Sequence, residues 1–188
     1  VGVNFSGIPN DLLDNDQVLA NVLGQGGYVL GYFFNFGGAP KTQEKINVPE
    51  INPVAIRKPG APKLNQVLIQ ASGLVAPVPE LTAEAKAAGF FNTVADRDGL
   101  LRRTPLLISC NGKVFPSLAL ATLREALGNP QIMAKITSGG LESVRIGRSE
   151  IPVDAAGRML IKFPGPRRTF EYVSAADILN GDLDPEML

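Results

Sequence analysis

The chain has 188 residues, 45% apolar and 19% charged, which fits a single domain burying about 70% of its unfolded surface and excludes disorder. Eighteen basic and eighteen acidic residues give a formal net charge of zero. No run of like charge offers a phosphate-binding stripe, so nucleic acid is not an expected partner. Histidine is absent, which removes Ser-His-Asp and Cys-His nucleophiles and nearly every zinc site.

The single cysteine, Cys110, permits no intramolecular disulfide and lies in an apolar strand pattern, where a thiol serves as a small core residue. No apolar run approaches the ~20 residues of a membrane-crossing helix. The chain opens at Val1 without a methionine or a signal-type leader, as expected for a piece cut from a longer protein.

Residues 1–5 read as a strand. Asp14, with Gln17 three residues on, reads as a capping box opening a helix over 14–23. Val18, Leu19, Val22 and Leu23 form its apolar face, and Gly24 suits its stop. The continuous run from Tyr28 to Phe34 predicts a strand covered on both faces, completing a βαβ unit with a parallel pair. Residues 37–63 carry Pro40, Pro49, Pro53, Pro59 and Pro62, so they are expected to form an excursion with short edge strands at most. Such a loop is a candidate lid or partner surface.

A short helix is predicted over 79–88, ended by Gly89, then a strand over 89–94. Asp96-Arg97-Asp98-Gly99 reads as a tight turn, and 100–110 as a second strand. Asn111-Gly112 signals a hairpin. A helix is expected from Ser117 to Leu127, with Leu120, Leu123 and Leu127 on one face, Arg124 and Glu125 outward, and Gly128 ending it. Residues 144–163 read as antiparallel strands turning at Ala156-Gly157, and Ser174 with Asp177 as a capping box for a helix ended by Asn180-Gly181. The whole predicts one domain over 1–188. Its class is α/β: a mixed, largely parallel central sheet flanked by helices, with antiparallel hairpin additions.

Asp96-x-Asp98-Gly99 invites a calcium reading. Aligning Gly99 with the sixth position of an EF-hand loop puts Val94 and Pro105 at the first and twelfth, where oxygen ligands are required, so the EF-hand fails and only a looser two-carboxylate site is left of that reading. The alternative is structural: an αL-tolerant turn at Gly99, with Arg102 and Arg103 on opposite faces of the following strand. One arginine then lies back on Asp96 or Asp98 as an ion pair, while the other is free for an anionic ligand or a partner. The glycine groups at 24–27 and 36–38 follow their elements rather than opening a helix, which is turn duty and not a phosphate cradle. Lys162, Arg167 and Arg168, around Phe163-Pro-Gly-Pro166, read as a solvated basic loop. No cofactor and no metal is called for, and no nucleophile has an identifiable base.

Several segments occur in an order that resembles one family. They are Asp16-Gln-Val-Leu-Ala20, Gly89-Phe-Phe-Asn92, Asp96-Arg-Asp-Gly-Leu-Leu-Arg-Arg103 and Pro105-Leu106. Phe115-Pro-Ser-Leu-Ala-Leu-Ala121, Ile151-Pro-Val-Asp-Ala155, Gly157 and Tyr172-Val-Ser-Ala-Ala-Asp-Ile-Leu-Asn-Gly181 continue the series. The family is that of CHASE sensory domains of the second type. The Asp-x-Asp-Gly-x-x-Arg-Arg segment followed by Phe-Pro-Ser-Leu-Ala carries the specificity.

The resemblance implies an extracytoplasmic sensor of a bacterial membrane signalling protein that answers a small-molecule or protein signal. Its own transmembrane helices would connect it to a cytoplasmic output domain, commonly an adenylate or guanylate cyclase, otherwise a histidine or Ser/Thr kinase. It also implies sheet strands lying outside this chain at both ends. An edge so exposed could recruit a second copy, so a homodimer and a ligand-free dimerisation module are the other expectations.

Overall fold

The computed structural model describes residues 14–37, 48–166, 169–170 and 172–182. The strand and proline-rich readings at 1–5 and 38–47, and Arg167 and Arg168, lie outside them.

Helix α1 (Asn15–Gln25) begins where the Asp14 carboxylate accepts the backbone N–H groups of Asp16 and Gln17, at 3.1 and 3.3 Å. The reciprocal half of the expected box is not made; the Gln17 side-chain nitrogen donates onward to Asn21 at 3.4 Å. Ala20 and Leu23 are buried, whereas Leu19 is exposed. Gly24 lies inside the helix and does not stop it. A Cβ there would meet Glu84 Oε2 at 3.0 Å, so glycine serves close approach.

Strand β1 (Val29–Asn35) turns Tyr32 and Phe34 into the core but leaves Phe33 40% exposed. Cover on both faces was expected, and one face has it along the strand. Residues 48–63 are fastened to the body: Val48, Ile51 and Ala61 are buried, and Ile51 N–H donates to Val114 C=O at 3.0 Å. Within them β2 (Val54–Arg57) is an edge strand, the place where Pro53 and Pro59 can flank a strand without breaking a ladder. Helix α2 (Leu64–Val67), β3 (Ile69–Ala71), β4 (Gly73–Val75) and α3 (Pro79–Glu84) follow.

Helix α3 ends earlier than its expected 79–88 span, and Gly89 sits in β5 (Ala87–Phe90) rather than at a helix stop. Both duties demand glycine, hence the mistaken assignment. Here the demand is close packing: a Cβ on Gly89 would lie 2.5 Å from Leu118 Cα and 2.6 Å from its N. Strand β5 also ends before the predicted 94. Phe91 N–H still donates to Tyr32 C=O, and then the Asn92 amide replaces the ladder. Its oxygen accepts Phe34 N–H at 2.7 Å and its nitrogen donates to Phe34 C=O at 2.9 Å.

The strand expected over 100–110 divides into β6 (Arg103–Pro105) and β7 (Leu107–Cys110). Leu106 is the joint: its N–H donates to Gly157 C=O at 3.0 Å and its C=O accepts Ser117 N–H at 2.8 Å, so no backbone group is orphaned by the change of partner. Asn111 (φ 51°) and Gly112 (φ 78°) form the predicted hairpin to β8 (Lys113–Pro116).

Helix α4 (Leu118–Ala126) is capped by Ser117, whose hydroxyl accepts Leu120 N–H at 3.2 Å, and Gly128 (φ 75°) closes it. Leu120 is buried, but Leu123 and Leu127 are exposed. Strand β9 (Ile132–Thr137) lies where the sequence reading placed no element. It pairs with β10 (Gly140–Ile146), which pairs with β11 (Ser149–Pro152). Strand β12 (Arg158–Leu160) follows the turn at Asp154–Gly157 and crosses to β6. Helix α5 (Ala175–Asn180) lacks the expected Ser174 side-chain cap, buries no residue, and ends at Gly181 (φ 75°).

The chain thus adopts the expected mixed α/β class, and the strands of the described residues are distributed over four short sheets: β4-β1-β5, β11-β10-β9-β2, β12-β6 and β3-β7-β8. Pairing is parallel at β1–β5, β2–β9 and β3–β7 and antiparallel elsewhere. Two apolar clusters form the interior. One gathers Leu107, Leu120, Ile136, Val144 and Ile146; the other gathers Tyr32, Phe34, Phe90, Ile108, Cys110 and Phe115. Cys110 is fully buried, and burial pushes its thiol pKa up, as a core residue requires.

Gly89→Ala tests the close approach. Forcing a methyl into the backbone of Leu118 should cost on the order of 2 kcal/mol or more and lower Tm measurably. Gly27→Ala, at a site with nothing within 4 Å of the added Cβ, should leave Tm close to the parent. Equal melting points for the two variants would refute the packing role of Gly89.

Candidate functional site

The most charged constellation on the described surface grows from two turns of the same build. In the first, Gly99 N–H donates to Asp96 C=O and Asp96 N–H to Leu100 C=O, both at 2.9 Å, with Gly99 at φ 83°. In the second, Gly157 N–H donates to Asp154 C=O at 2.8 Å and Asp154 N–H to Arg158 C=O at 2.9 Å, with Gly157 at φ 82°. Only glycine takes that backbone without strain. Pairing of β6 with β12 brings the two turns together.

Asp96 is the hub. Its side chain is 15% exposed, and it accepts Arg103 Nη1 at 3.2 Å and Arg158 Nη1 at 3.1 Å, with Arg102 Nη1 at 3.6 Å. Asp98 is exposed. Its carboxylate takes Arg102 Nη1 at 2.7 and 2.9 Å and Leu100 N–H at 3.2 Å, and these bonds, the Arg102 one foremost, hold its pKa below the usual carboxylate value. Asp154 accepts Arg158 Nε at 2.8 Å while capping its own turn through the N–H groups of Ala156 and Arg158. Arg103 Nε lies 3.9 Å from the same carboxylate.

Arg102 and Arg103 were expected on opposite faces, one bracing and one free. Both instead reach Asp96. Strand alternation starts only at Arg103, so Arg102 is outside the pleat that would have turned it away. The sequence reading missed Arg158 and Asp154. Their signal was the repeat of the Asp-x-x-Gly turn at Asp96–Gly99 and Asp154–Gly157, followed in the second case by an arginine.

Ala95, Asp96, Arg97, Asp98, Arg102, Arg103 and Arg158 line an open depression of about 680 Å³. With Asp154 behind it, four arginines face three carboxylates, leaving one net positive charge. Arg97 makes no ion pair with the described residues. Guanidinium forks suit carboxylate and phosphate oxygens. Among the described residues no group of three or more His, Cys, Asp or Glu is placed to hold a metal ion, and no helix is long and apolar enough to cross a membrane.

Asp96→Asn should destabilise the chain by roughly 2 kcal/mol, since charge-assisted hydrogen bonds to partly buried arginines are lost together. Asp98→Asn should cost less, because its pair is solvent-screened. The Asp98 contribution has a defined pH window. Its folded pKa is depressed, so the contribution is fully present above the unfolded value near ~4 and disappears as pH falls through the folded value. The Tm difference between parent and Asp98→Asn should therefore be constant above about pH 5 and shrink below about pH 4. A larger loss for Asp98→Asn than for Asp96→Asn would displace Asp96 as the hub.

Compared with known families, residues 1–188 match the family model of the CHASE2 domain. No curated protein and no solved structure matches the chain.

Proposed function

The chain belongs to the CHASE2 domain family, extracellular sensory domains typical of signalling proteins, and from that premise we propose that it is the signal-sensing input domain of a membrane-bound bacterial nucleotide cyclase. The observation that carries this reading is the family match over the whole chain. The domain stands outside the cytoplasmic membrane and passes its state through transmembrane helices to an adenylate or guanylate cyclase. A histidine or Ser/Thr kinase is the other output of the same kind.

The sensing site in this reading is the arginine–aspartate depression, with Arg102, Arg103, Asp96 and Asp98 as the contacting residues. One surplus positive charge and exposed guanidinium edges suit a small anion, a carboxylate or phosphate ester. Such an anion competes with Asp96 for arginine. By drawing Arg102 or Arg103 away it weakens the tie between residues 96–103 and 154–158, and it favours whichever state leaves the arginines free. A ligand shifts the equilibrium only by that difference in affinity.

A second reading, a dimerisation module without ligand, is favoured by β2, an edge strand that leaves Val54 and Ile56 exposed.

Calorimetry against a panel of small carboxylates and phosphate esters tests the first reading. At least one should bind, and Arg102→Gln should weaken it about tenfold, the loss of one charge-assisted contact, with a Tm loss of the same small size as that of Asp98→Asn, which breaks the same exposed ion pair. In the full-length protein the same substitution should change cyclase output. A panel without heat, together with a dimer that persists on dilution in light scattering, would replace this reading by the second.

A further inference from the structure

We propose that the groove between the end of β5 and helix α4 binds one uncharged, largely apolar small molecule carrying a hydrogen-bonding function at one end. The groove has a volume of about 720 Å³, within the ~300–1,000 Å³ span of small-molecule sites. Its apolar walls include Phe91, Leu118 and Leu123, and Phe91 is 55% exposed although its ring abuts Phe33 at 5.9 Å.

A glycine pair lets both walls approach the sheet closely. Gly31 and Gly89 are directly opposite in the β1–β5 ladder. A Cβ on Gly31 would lie 3.0 Å from the Phe91 ring, and one on Gly89 would strike the backbone of Leu118. The two walls therefore stand directly on the sheet, and the groove opens between them.

Two features of the lining define the occupant. None of the residues lining the groove is ionisable, so a charged ligand would surrender its hydration to a wall without counter-charge. Thr93, Thr104 and Thr122 line the same groove, and no hydrogen bond ties their hydroxyls to other described residues. They can meet one hydroxyl, carbonyl or ether on an otherwise apolar molecule.

This site is separate in chemistry from the arginine depression. Thr104 and Arg103 are adjacent in β6, and strand alternation sends one to the groove and the other to Asp96. The groove is tied to the core through Asn92, whose amide holds both backbone groups of Phe34. Filling it fixes Phe91 and the segment leading to the Asp96 turn.

N-phenyl-1-naphthylamine, a neutral fluorescent probe, and 8-anilinonaphthalene-1-sulfonate, its sulfonated analogue, test the proposal on the 188-residue chain. The neutral probe should bind saturably, one per chain, at least tenfold tighter than the sulfonate. Ala119→Trp and Thr122→Trp, replacements at exposed positions of α4 that fill the groove, should each weaken it tenfold or more with parental circular dichroism and Tm. Hydrogen exchange of the unaltered chain supplies a readout independent of folding in the variants: the probe should protect residues 91–93 and 118–123. Absence of saturable binding, equal affinity for the sulfonate, protection elsewhere, or folded Trp variants that keep full affinity would each overturn the proposal. So would probe exclusion in step with dimer formation, which would assign the groove to a second copy.

Discussion

Everything in this chain leans on β7. All four of its residues are buried, and their alternation sends Leu107 into one apolar cluster and Ile108 and Cys110 into the other. A strand so placed must satisfy its backbone on both edges, which β3 and β8 do, and it carries one polar side chain inward, Ser109, whose buried hydroxyl has no partner among the described residues. It also fixes what lies before it. Leu106 turns the chain out of the β3-β7-β8 sheet, so β6 leaves the interior and pairs with β12 at the surface. The arginine–aspartate cluster exists because the buried strand begins only at Leu107.

The cluster in turn joins segments far apart in the chain. Asp96 and Arg158 are 62 residues apart in sequence, and their contact at 3.1 Å closes that loop. The cost of closing a long loop grows only slowly with its length, so a few charge-assisted bonds suffice once β6 and β12 are aligned. Using the same Asp-x-x-Gly turn twice places two carboxylates against arginines supplied by both sides, and that of Asp154 is also held by the N–H groups of Ala156 and Arg158 in its own turn. A lone surface ion pair contributes little; a hub that is mostly withdrawn from water and meets arginines from two segments contributes more.

What could be read from the sequence was what is decided locally. The Asp96–Gly99 turn, the Asn111-Gly112 hairpin, the Ser117 cap and the Gly128 stop each depend on residues within a few positions, and each is present. Gly24 and Gly89 were misread because a helix stop and a close approach ask for the same residue, and only the neighbour across the fold distinguishes them. Strand β9 was missed although Ile132, Ala134 and Ile136 alternate, because Ala134 is too small to mark a face and Met133 blurs the period. Arg158 could not be assigned to Asp96, since nothing in local spacing reports a partner 62 residues away. The apolar groove was invisible for the same reason: its walls come from residues 90–93, 104 and 117–126, which only the sheet brings together.

The placement of these features bears on how such a domain could respond to a signal. Between the end of β5 and the start of β6, residues 91–102 belong to no strand or helix, yet they are not loose. The Asn92 amide holds one end to Phe34, and the Asp96 and Asp98 carboxylates hold the other to arginines. A segment secured by a handful of polar contacts, beside cores secured by apolar packing, occupies the low end of the local stability range. Its contacts are also the ones that ligands of the two proposed kinds would contest, an anion at the arginines and an apolar molecule at Phe91. Rearranging β7 would expose both cores, whereas rearranging this segment exchanges a few hydrogen bonds for others. A conformational equilibrium that binding can tip is therefore more readily built into residues 91–102 than into the buried strands beside them.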